Sequence, residues 1–156
     1  RFEGWWGHDK ATRFEMPETF VPIPTAEAWQ LSNAPVMAMA PLRASLDLFD
    51  RAGAENLRAK SRKLTAYLQE VLEEVARVSG SAFEIITPTE ERGAQISLLV
   101  HGYGRPLFDY LMEQGVIADW REPNVIRMAP VPLYNSFEDV RAFGIILLNY
   151  LNEQGA

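Results

Sequence analysis

The stretch Asn124-Val-Ile-Arg-Met-Ala-Pro-Val-Pro-Leu-Tyr-Asn-Ser136 decides most of what this sequence reveals about its fold, because it combines a strand, a strand end and one cation. The residues from Val125 to Ala129 are typical of a strand, and Pro130 and Pro132 end it, since proline lacks the N–H that a sheet needs. Arg127 interrupts the run with a charge that arginine cannot lose. A half-buried arginine needs an anion, which is either a structural Asp or Glu or the carboxylate of a ligand. Taken alone, the segment favours the structural ion pair.

Four helices are predicted, and one of them follows this strand directly. Ser136-Phe-Glu-Asp139 has the spacing of a capping box and predicts a final helix that runs to about Asn152. Further upstream, apolar periodicity and glycine stops predict helices over about 35–53, 54–78 and 106–114. Pro35 is interpreted as the first residue of the first helix, with Asn33 or Ser32 as its cap.

Three more short strands are predicted, over about 83–86, 95–100 and 116–119. The order is then helix, helix, strand, strand, helix, strand, strand, helix. Short strands joined largely by turns predict an α+β fold, an α/β sandwich in which helices cover one face of a small mixed or antiparallel sheet.

The composition excludes several classes of protein. The chain has 156 residues, of which 47% are hydrophobic and 23% charged, and its net charge is -6. That is typical of about one globular domain, and no basic cluster indicates a nucleic-acid partner. No apolar run approaches the roughly 18 residues of a membrane-spanning helix. The absence of cysteine excludes disulfides and thiolate metal sites, and a cytoplasmic protein is the natural interpretation.

The polar residues give little support for a metal site or a catalytic triad. His8 and His101 are the only histidines, and they form no ligand cluster with suitable spacing. His101 follows a predicted strand and is interpreted as a surface or capping residue. No Gly-x-Ser-x-Gly elbow is present.

The first 35 residues contain four prolines and a block of aromatic residues, Gly4-Trp-Trp-Gly-His8. Two adjacent indoles cannot both enter one core from a short loop, so the block is equally an anchor for the loop or the wall of an interface or pocket. Asn33 has two interpretations in the same way, with the helix cap favoured over contact with a ligand. The chain lacks an initiator methionine, and we expect it to be the C-terminal part of a longer protein.

Several segments together resemble the C-terminal half of the kynureninase family, and they follow the family's order along essentially the whole chain. The most specific is the block from Ile126 to Phe137. The others are Gly4-Trp-Trp-Gly-His8, Thr12-Arg-Phe14, Ser32-Asn-Ala-Pro35, Ile86-Thr-Pro88, Glu91-Arg-Gly93 and Gln95.

The resemblance implies a pyridoxal-phosphate enzyme with the aspartate-aminotransferase fold (fold type I). Such an enzyme is a homodimer with shared active sites that hydrolyses L-kynurenine, or 3-hydroxykynurenine, to anthranilate or its 3-hydroxy analogue and L-alanine, in tryptophan catabolism and NAD biosynthesis. Residues 1–35 would be the tail of the large cofactor domain. Residues 36–156 would be the C-terminal small domain with its bridging helix.

The resemblance also implies roles for four residues. Arg127 would bind the substrate α-carboxylate, and Trp5 the cofactor phosphate across the dimer. Asn33 would approach both cofactor and substrate from the neighbouring subunit, and His8 would support this site.

The Schiff-base lysine of the family lies upstream of the aromatic block, so none of the three lysines here, Lys10, Lys60 and Lys63, corresponds to it. The chain alone is therefore expected to be inactive. Two alternatives remain: another fold-type-I lyase such as a cysteine desulfurase, or a non-catalytic binding or dimerisation module.

Overall fold

The order of helices and strands agrees with the prediction. The computed structural model describes residues 2–80 and 83–154. Within them, three short 3-10 turns (Trp5–Gly7, Arg13–Glu15 and Ala26–Trp29) precede four α-helices and four strands. In chain order these are α1 (Val36–Ala52), α2 (Ala54–Ser79), β1 (Phe83–Ile85), β2 (Ile96–Val100), α3 (Gly104–Glu113), β3 (Asp119–Arg121), β4 (Val125–Met128) and α4 (Phe137–Gln154).

The strands form one antiparallel sheet in the order β1-β2-β4-β3. Alternate residues of β2 and β4 are buried, namely Ile96, Leu98, Val100 and Ile126. These side chains share one core with residues of α2, α3 and α4 such as Leu68, Leu107 and Leu147. Helices therefore cover one face of the sheet, which confirms the predicted α+β architecture and selects the antiparallel alternative.

Gly144 allows α4 to approach α2 closely. A Cβ atom at this position would lie 2.3 Å from Cγ1 of Val71, too close for two carbon atoms. The missing side chain thus brings two of the core helices into direct contact.

The third strand lies further along the chain than predicted, over Asp119–Arg121 and not 116–119. Gly115 has a φ of 83°, and its N–H donates to the Met112 carbonyl while the N–H of Val116 donates to that of Leu111. These two bonds form a Schellman closure of α3. Val116 therefore completes the end of a helix and packs on the core with Ala118, Ile117 between them is exposed, and the strand begins only after these residues.

The beginning of α1 also differs from the prediction. The helix starts at Val36, and the carbonyl of Pro35 accepts hydrogen bonds from the N–H groups of Ala38 and Met39, each at 3.0 Å. Pro35 therefore occupies the capping position itself. Asn33 and Ser32 lie too far before the helix to cap it, and neither side chain makes such a bond in the described part of the chain.

The chain divides into two compact units, Arg1–Arg51 and Ala52–Ala156. The division falls after most of α1, whereas the domain boundary predicted from the sequence lies at residue 35. None of the helices in residues 2–80 and 83–154 combines the length and the hydropathy that a membrane span needs.

Candidate functional site

Arg127 lies on the face of the sheet that the helices leave open. Its neighbours in register are Ser97 on β2 and Asp119 on β3. The Arg127 side chain is 33% exposed, so the guanidinium is reachable from solvent although its strand is internal. Successive side chains of a strand point to opposite faces of the sheet, so Ile126 is buried in the core and Arg127 lies on the other face.

Asp119 is the ion-pair partner of Arg127. Its Oδ2 atom accepts a hydrogen bond from Nε of Arg127 at 2.6 Å and is also in ion-pair contact with Nη2 of the same guanidinium. Nε of Arg121 donates to the same oxygen at 3.0 Å. The hydrogen bond from Arg127 is the main cause that lowers the pKa of the Asp119 carboxyl below its ordinary value. The structural partner that the charge of Arg127 requires is therefore present.

The segment after β4 is fixed by hydrogen bonds to its backbone. The Asn135 side chain accepts from the N–H of Val131 at 2.8 Å, and the N–H of Asn135 donates back to the carbonyl of Val131 at 2.8 Å. Nζ of Lys60, from α2, donates to the carbonyl of Pro132 at 2.8 Å. Lys60 is thus a half-buried residue that ties the segment after β4 to α2.

The two glycines of the aromatic loop allow it to lie close to the Ala26–Trp29 turn and to the residues directly after that turn. A Cβ atom on Gly4 would lie 2.3 Å from Cα of Leu31, and one on Gly7 would lie 2.4 Å from the carbonyl oxygen of Ala28. No other residue allows backbones to approach this closely. The two glycines therefore determine where the Trp5 indole is presented.

The two tryptophans have separate environments. Trp5 is 42% exposed and makes an edge-on contact with Phe14, whose ring centre is 5.6 Å away. The Trp6 ring is covered by the guanidinium of Arg13, 5.0 Å from the ring centre. Of these two tryptophans, only Trp5 lines the cavity that lies beside the loop.

His8 is buried and holds the loop together. Its Nδ1 accepts the N–H of Val21 at 3.2 Å, and its Nε2 lies 3.5 Å from Oγ1 of Thr12. The ring also packs against Phe20. These contacts place His8 in the packing of residues 8–21.

Trp5 and His8 line one cavity of about 240 Å³ together with Arg13. Arg13 is only 5% exposed, and its Nη2 donates to the carbonyl of His8 at 3.2 Å. Sequence reasoning missed this residue as a part of the loop. The signal was available in Thr12-Arg-Phe14, since a cation beside an aromatic block commonly covers a ring.

Asn33 belongs to the same compact unit as Trp5 and His8. Its side chain is exposed, and within the described residues it makes no hydrogen bond. Both donors and the acceptor of its amide are therefore available to a partner. Arg127 lies in the other unit.

The three lysines have other roles or are solvated. Nζ of Lys10 pairs with Glu27 at 3.1 Å and is 68% exposed, whereas Lys63 is simply exposed. None of the three lines the cavity beside Trp5 and His8 or the cavity bounded by Asn135 and Asp139. No group of three His, Asp or Glu side chains suited to a metal ion occurs in the part of the chain that the structure describes.

Comparison with known proteins gives consistent matches in sequence. Residues 57–147 match the family model described as the kynureninase C-terminal domain. Kynureninase from Christiangramia forsetii is 58% identical over 149 residues, and that from Flavobacterium psychrophilum 54%, each over 94% of this chain and 35% of the relative. Kynureninase from Xanthomonas euvesicatoria is 57% identical over 92% of this chain and 34% of its own length. The chain thus spans about a third of the curated relatives.

Solved structures share the fold at much lower identity. A mutant of C-DES with glycine covalently linked to the PLP cofactor superposes with a TM-score of 0.68. The match covers 96% of this chain and 37% of that protein, with 17% identity. The cystine C–S lyase C-DES in complex with cysteine persulfide gives the same TM-score and identity. The fold is therefore that of the corresponding part of these enzymes.

Proposed function

The chain belongs to the kynureninase family, as its motifs indicated, and we propose that it supplies the C-terminal part of an enzyme that hydrolyses L-kynurenine or 3-hydroxykynurenine. The products would be anthranilate, or its 3-hydroxy analogue, and L-alanine. The relatives at 54–58% identity support this reaction over that of C-DES, whose identity to this chain is only 17%. A cytoplasmic location forms part of the proposal and is supported by the lack of cysteine.

The observation that carries the proposal is the half-exposed guanidinium of Arg127 on the open face of the sheet. Asp119 occupies Nε and one side of Nη2, which leaves the edge between Nη1 and Nη2 without a partner among the described residues. That edge presents two parallel N–H groups at the spacing of a carboxylate. Arg127 therefore binds the α-carboxylate of the amino-acid substrate.

The residues of the aromatic loop fit pyridoxal 5'-phosphate. The Trp5 indole N–H and the Asn33 amide are exposed donors that make no hydrogen bond within the described residues, and phosphate oxygens are strong acceptors. Trp5 would hold the phosphate, Asn33 would contact cofactor and substrate, and His8 would keep the loop in place. When bound, the cofactor supplies an electron sink for carbanions. The Schiff-base lysine would come from outside this chain.

The proposed assembly is a homodimer in which Trp5 and Asn33 serve the active site of the neighbouring subunit. Its support is that these two side chains are presented outward, and that α1, which follows them, contains no buried residue. A side chain that completes a site in another subunit must be exposed in its own.

The test of the function is the Arg127→Ala variant of the protein that carries this sequence. Losing a two-point contact between charged groups should cost on the order of 2–4 kcal/mol, or roughly 30- to 1000-fold in kcat/KM for L-kynurenine. The matched control is Arg141→Ala, which removes an exposed arginine that pairs with Glu138 on α4. If both variants retain the kcat/KM of the parent protein, Arg127 does not bind the substrate. Release of L-alanine from kynurenine, compared with sulfide release from cysteine, distinguishes the reaction from that of a desulfurase.

A further inference from the structure

Asp119 contacts Arg127 in a way that a simple surface ion pair does not require. A single oxygen, Oδ2, accepts hydrogen bonds from Nε of Arg127 and Nε of Arg121 and is also in ion-pair contact with Nη2 of Arg127. The three side chains project from adjacent positions of β3 and β4 on the open face, with Asp119 directly opposite Arg127. The guanidinium of Arg127 is thus bound along its side edge, formed by Nε and Nη2, to the carboxylate of a residue in a strand.

The side-edge contact determines the direction of the remaining edge. A guanidinium is planar, so fixing Nε and Nη2 fixes the plane and the line along which Nη1 and Nη2 face outward. The three side chains also carry an excess of positive charge. One carboxylate lies between two guanidinium groups, which gives Asp119, Arg121 and Arg127 a formal net charge of about +1.

We infer that Asp119 is a positioning residue that orients the guanidinium of Arg127 for a two-point contact with the substrate carboxylate, while Arg121 offsets the charge of Asp119. This inference rests on the proposed function of Arg127 and adds the means by which its geometry is fixed. The site then selects a planar carboxylate over a neutral group of the same size, because only the carboxylate accepts both N–H groups and carries the opposite charge.

Removing the charge of Asp119 should change the affinity for the substrate in opposite directions, depending on whether Asp119 orients Arg127 or only affects the local charge. The Asp119→Asn substitution makes the cluster more positive, so electrostatic attraction alone would strengthen the binding of an anion. Orientation predicts the opposite result, since the amide of asparagine offers a weaker and uncharged acceptor and the guanidinium becomes free to rotate. A small loss of alignment is costly for a two-point contact.

The experiment compares Asp119→Asn, Arg127→Ala and the double variant in the complete protein. Asp119→Asn should raise KM for L-kynurenine about tenfold with little change in kcat, and should have no further effect when Arg127 is already alanine. Competitive inhibition provides a second measurement. L-Alanine should lose about tenfold in affinity in Asp119→Asn, whereas L-alaninamide, which lacks the carboxylate, should be unaffected.

The control is Asp109→Asn, which removes an exposed aspartate whose Oδ1 lies 2.8 Å from Nε of Arg105 on α3. Asp119→Glu is a second variant that keeps the charge and moves the carboxylate, and it should also weaken the preference for L-alanine. If Asp119→Asn lowers KM or leaves it unchanged, with or without a loss of thermal stability, the positioning role is refuted. If Arg127→Ala itself leaves KM unchanged, the proposed function of Arg127 fails, which is a separate outcome.

Discussion

Gly7 determines the position of Trp5, the residue proposed to reach the cofactor. Its N–H donates to the carbonyl of Gly4 at 3.1 Å, its own carbonyl accepts from Ile23 at 2.9 Å, and its Cα lies against the backbone of Ala28. A side chain at this position would meet backbone atoms, which cannot rotate away. The loop would have to move as a unit, and the Trp5 indole with it.

The Gly7→Ala substitution is therefore expected to weaken cofactor binding and to destabilise the fold. The added Cβ atom would lie 2.4 Å from the carbonyl oxygen of Ala28, and overpacking of this kind typically costs about 1–3 kcal/mol. The measurements are thermal unfolding and titration of the cofactor-free protein with pyridoxal phosphate. Gly93→Ala is the matched control, because no atom lies within 4 Å of the added Cβ there. Equal cofactor affinity in the two variants would contradict the role of the loop.

At Arg127, the sequence predicted the need for an anion but not its identity. Asp119 lies eight positions earlier, and it is brought opposite Arg127 only by the register between β3 and β4. Register depends on the turn and on the packing of the buried face, which a single sequence does not specify for such short strands. Both interpretations of Arg127 were weighed as alternatives, and the geometry allows them together because a guanidinium has two edges.

Among the elements, α4 has the most clearly encoded start. The N–H of Asp139 donates to Oγ of Ser136 at 3.2 Å, and the N–H of Ser136 donates to Oδ2 of Asp139 at 2.7 Å. This is the capping box that the spacing predicted, with aspartate in the place of the commoner glutamate. The hydrogen bonds from Ser136 are the main cause that lowers the pKa of Asp139 below its ordinary value of 3.8.

Acid should loosen the start of α4. The Arg141 side chain likewise lowers the pKa of Glu138, chiefly by its hydrogen bonds, below the ordinary value of 4.5. A carboxyl whose pKa is lower in the folded state stabilises the fold above its unfolded pKa and loses that contribution as the pH falls through the folded value. The free energy of unfolding, measured with urea, should therefore decrease as the pH falls below about 4.5, and less steeply in Asp139→Asn.

The cap itself is tested by Ser136→Ala, which should lower the free energy of unfolding by about 1 kcal/mol near neutral pH. Glu70→Ala, at an exposed position within α2, is the control and should be neutral or slightly stabilising. If the two variants have the same stability, the capping hydrogen bonds do not contribute to the fold.

The helices were more predictable than the strands because their signals are local. The apolar stripe and glycine stop of α2 lie within one window of sequence, and its predicted end at 78 differs from the observed Ser79 by one residue. The bounds 116–119 predicted for β3 were wrong, although the strand exists over Asp119–Arg121, because Val116 looks like a strand residue but completes the Schellman closure of α3. Apolar periodicity cannot distinguish these two uses of one apolar residue.

At the scale of the whole molecule, α1 carries apolar side chains that the described residues leave exposed. The helix has apolar residues along its length, and none of them is buried, including Met37, Leu42, Leu46 and Phe49. A large exposed apolar surface usually marks an interaction site. Apolar periodicity predicted α1 as a helix, but it could not show that the apolar side chains of this helix stay exposed among the described residues, since burial depends on tertiary contacts.

The proposed homodimer predicts that α1 is covered in the complete protein, and methionine oxidation measures this. In this chain Met37 is 87% and Met39 47% exposed, compared with 40% for Met112 on α3. By exposure alone, Met37 would be oxidised first, because peroxide reacts with methionine sulfur that it can reach. If a partner surface covers α1, Met37 and Met39 should instead be oxidised more slowly than Met112, as followed by mass spectrometry of peptides during treatment with hydrogen peroxide.

The urea-unfolded protein is the control, in which the three oxidation rates should converge. Faster oxidation of Met37 in the folded protein would mean that α1 remains exposed, and that the homodimer is not built on this helix.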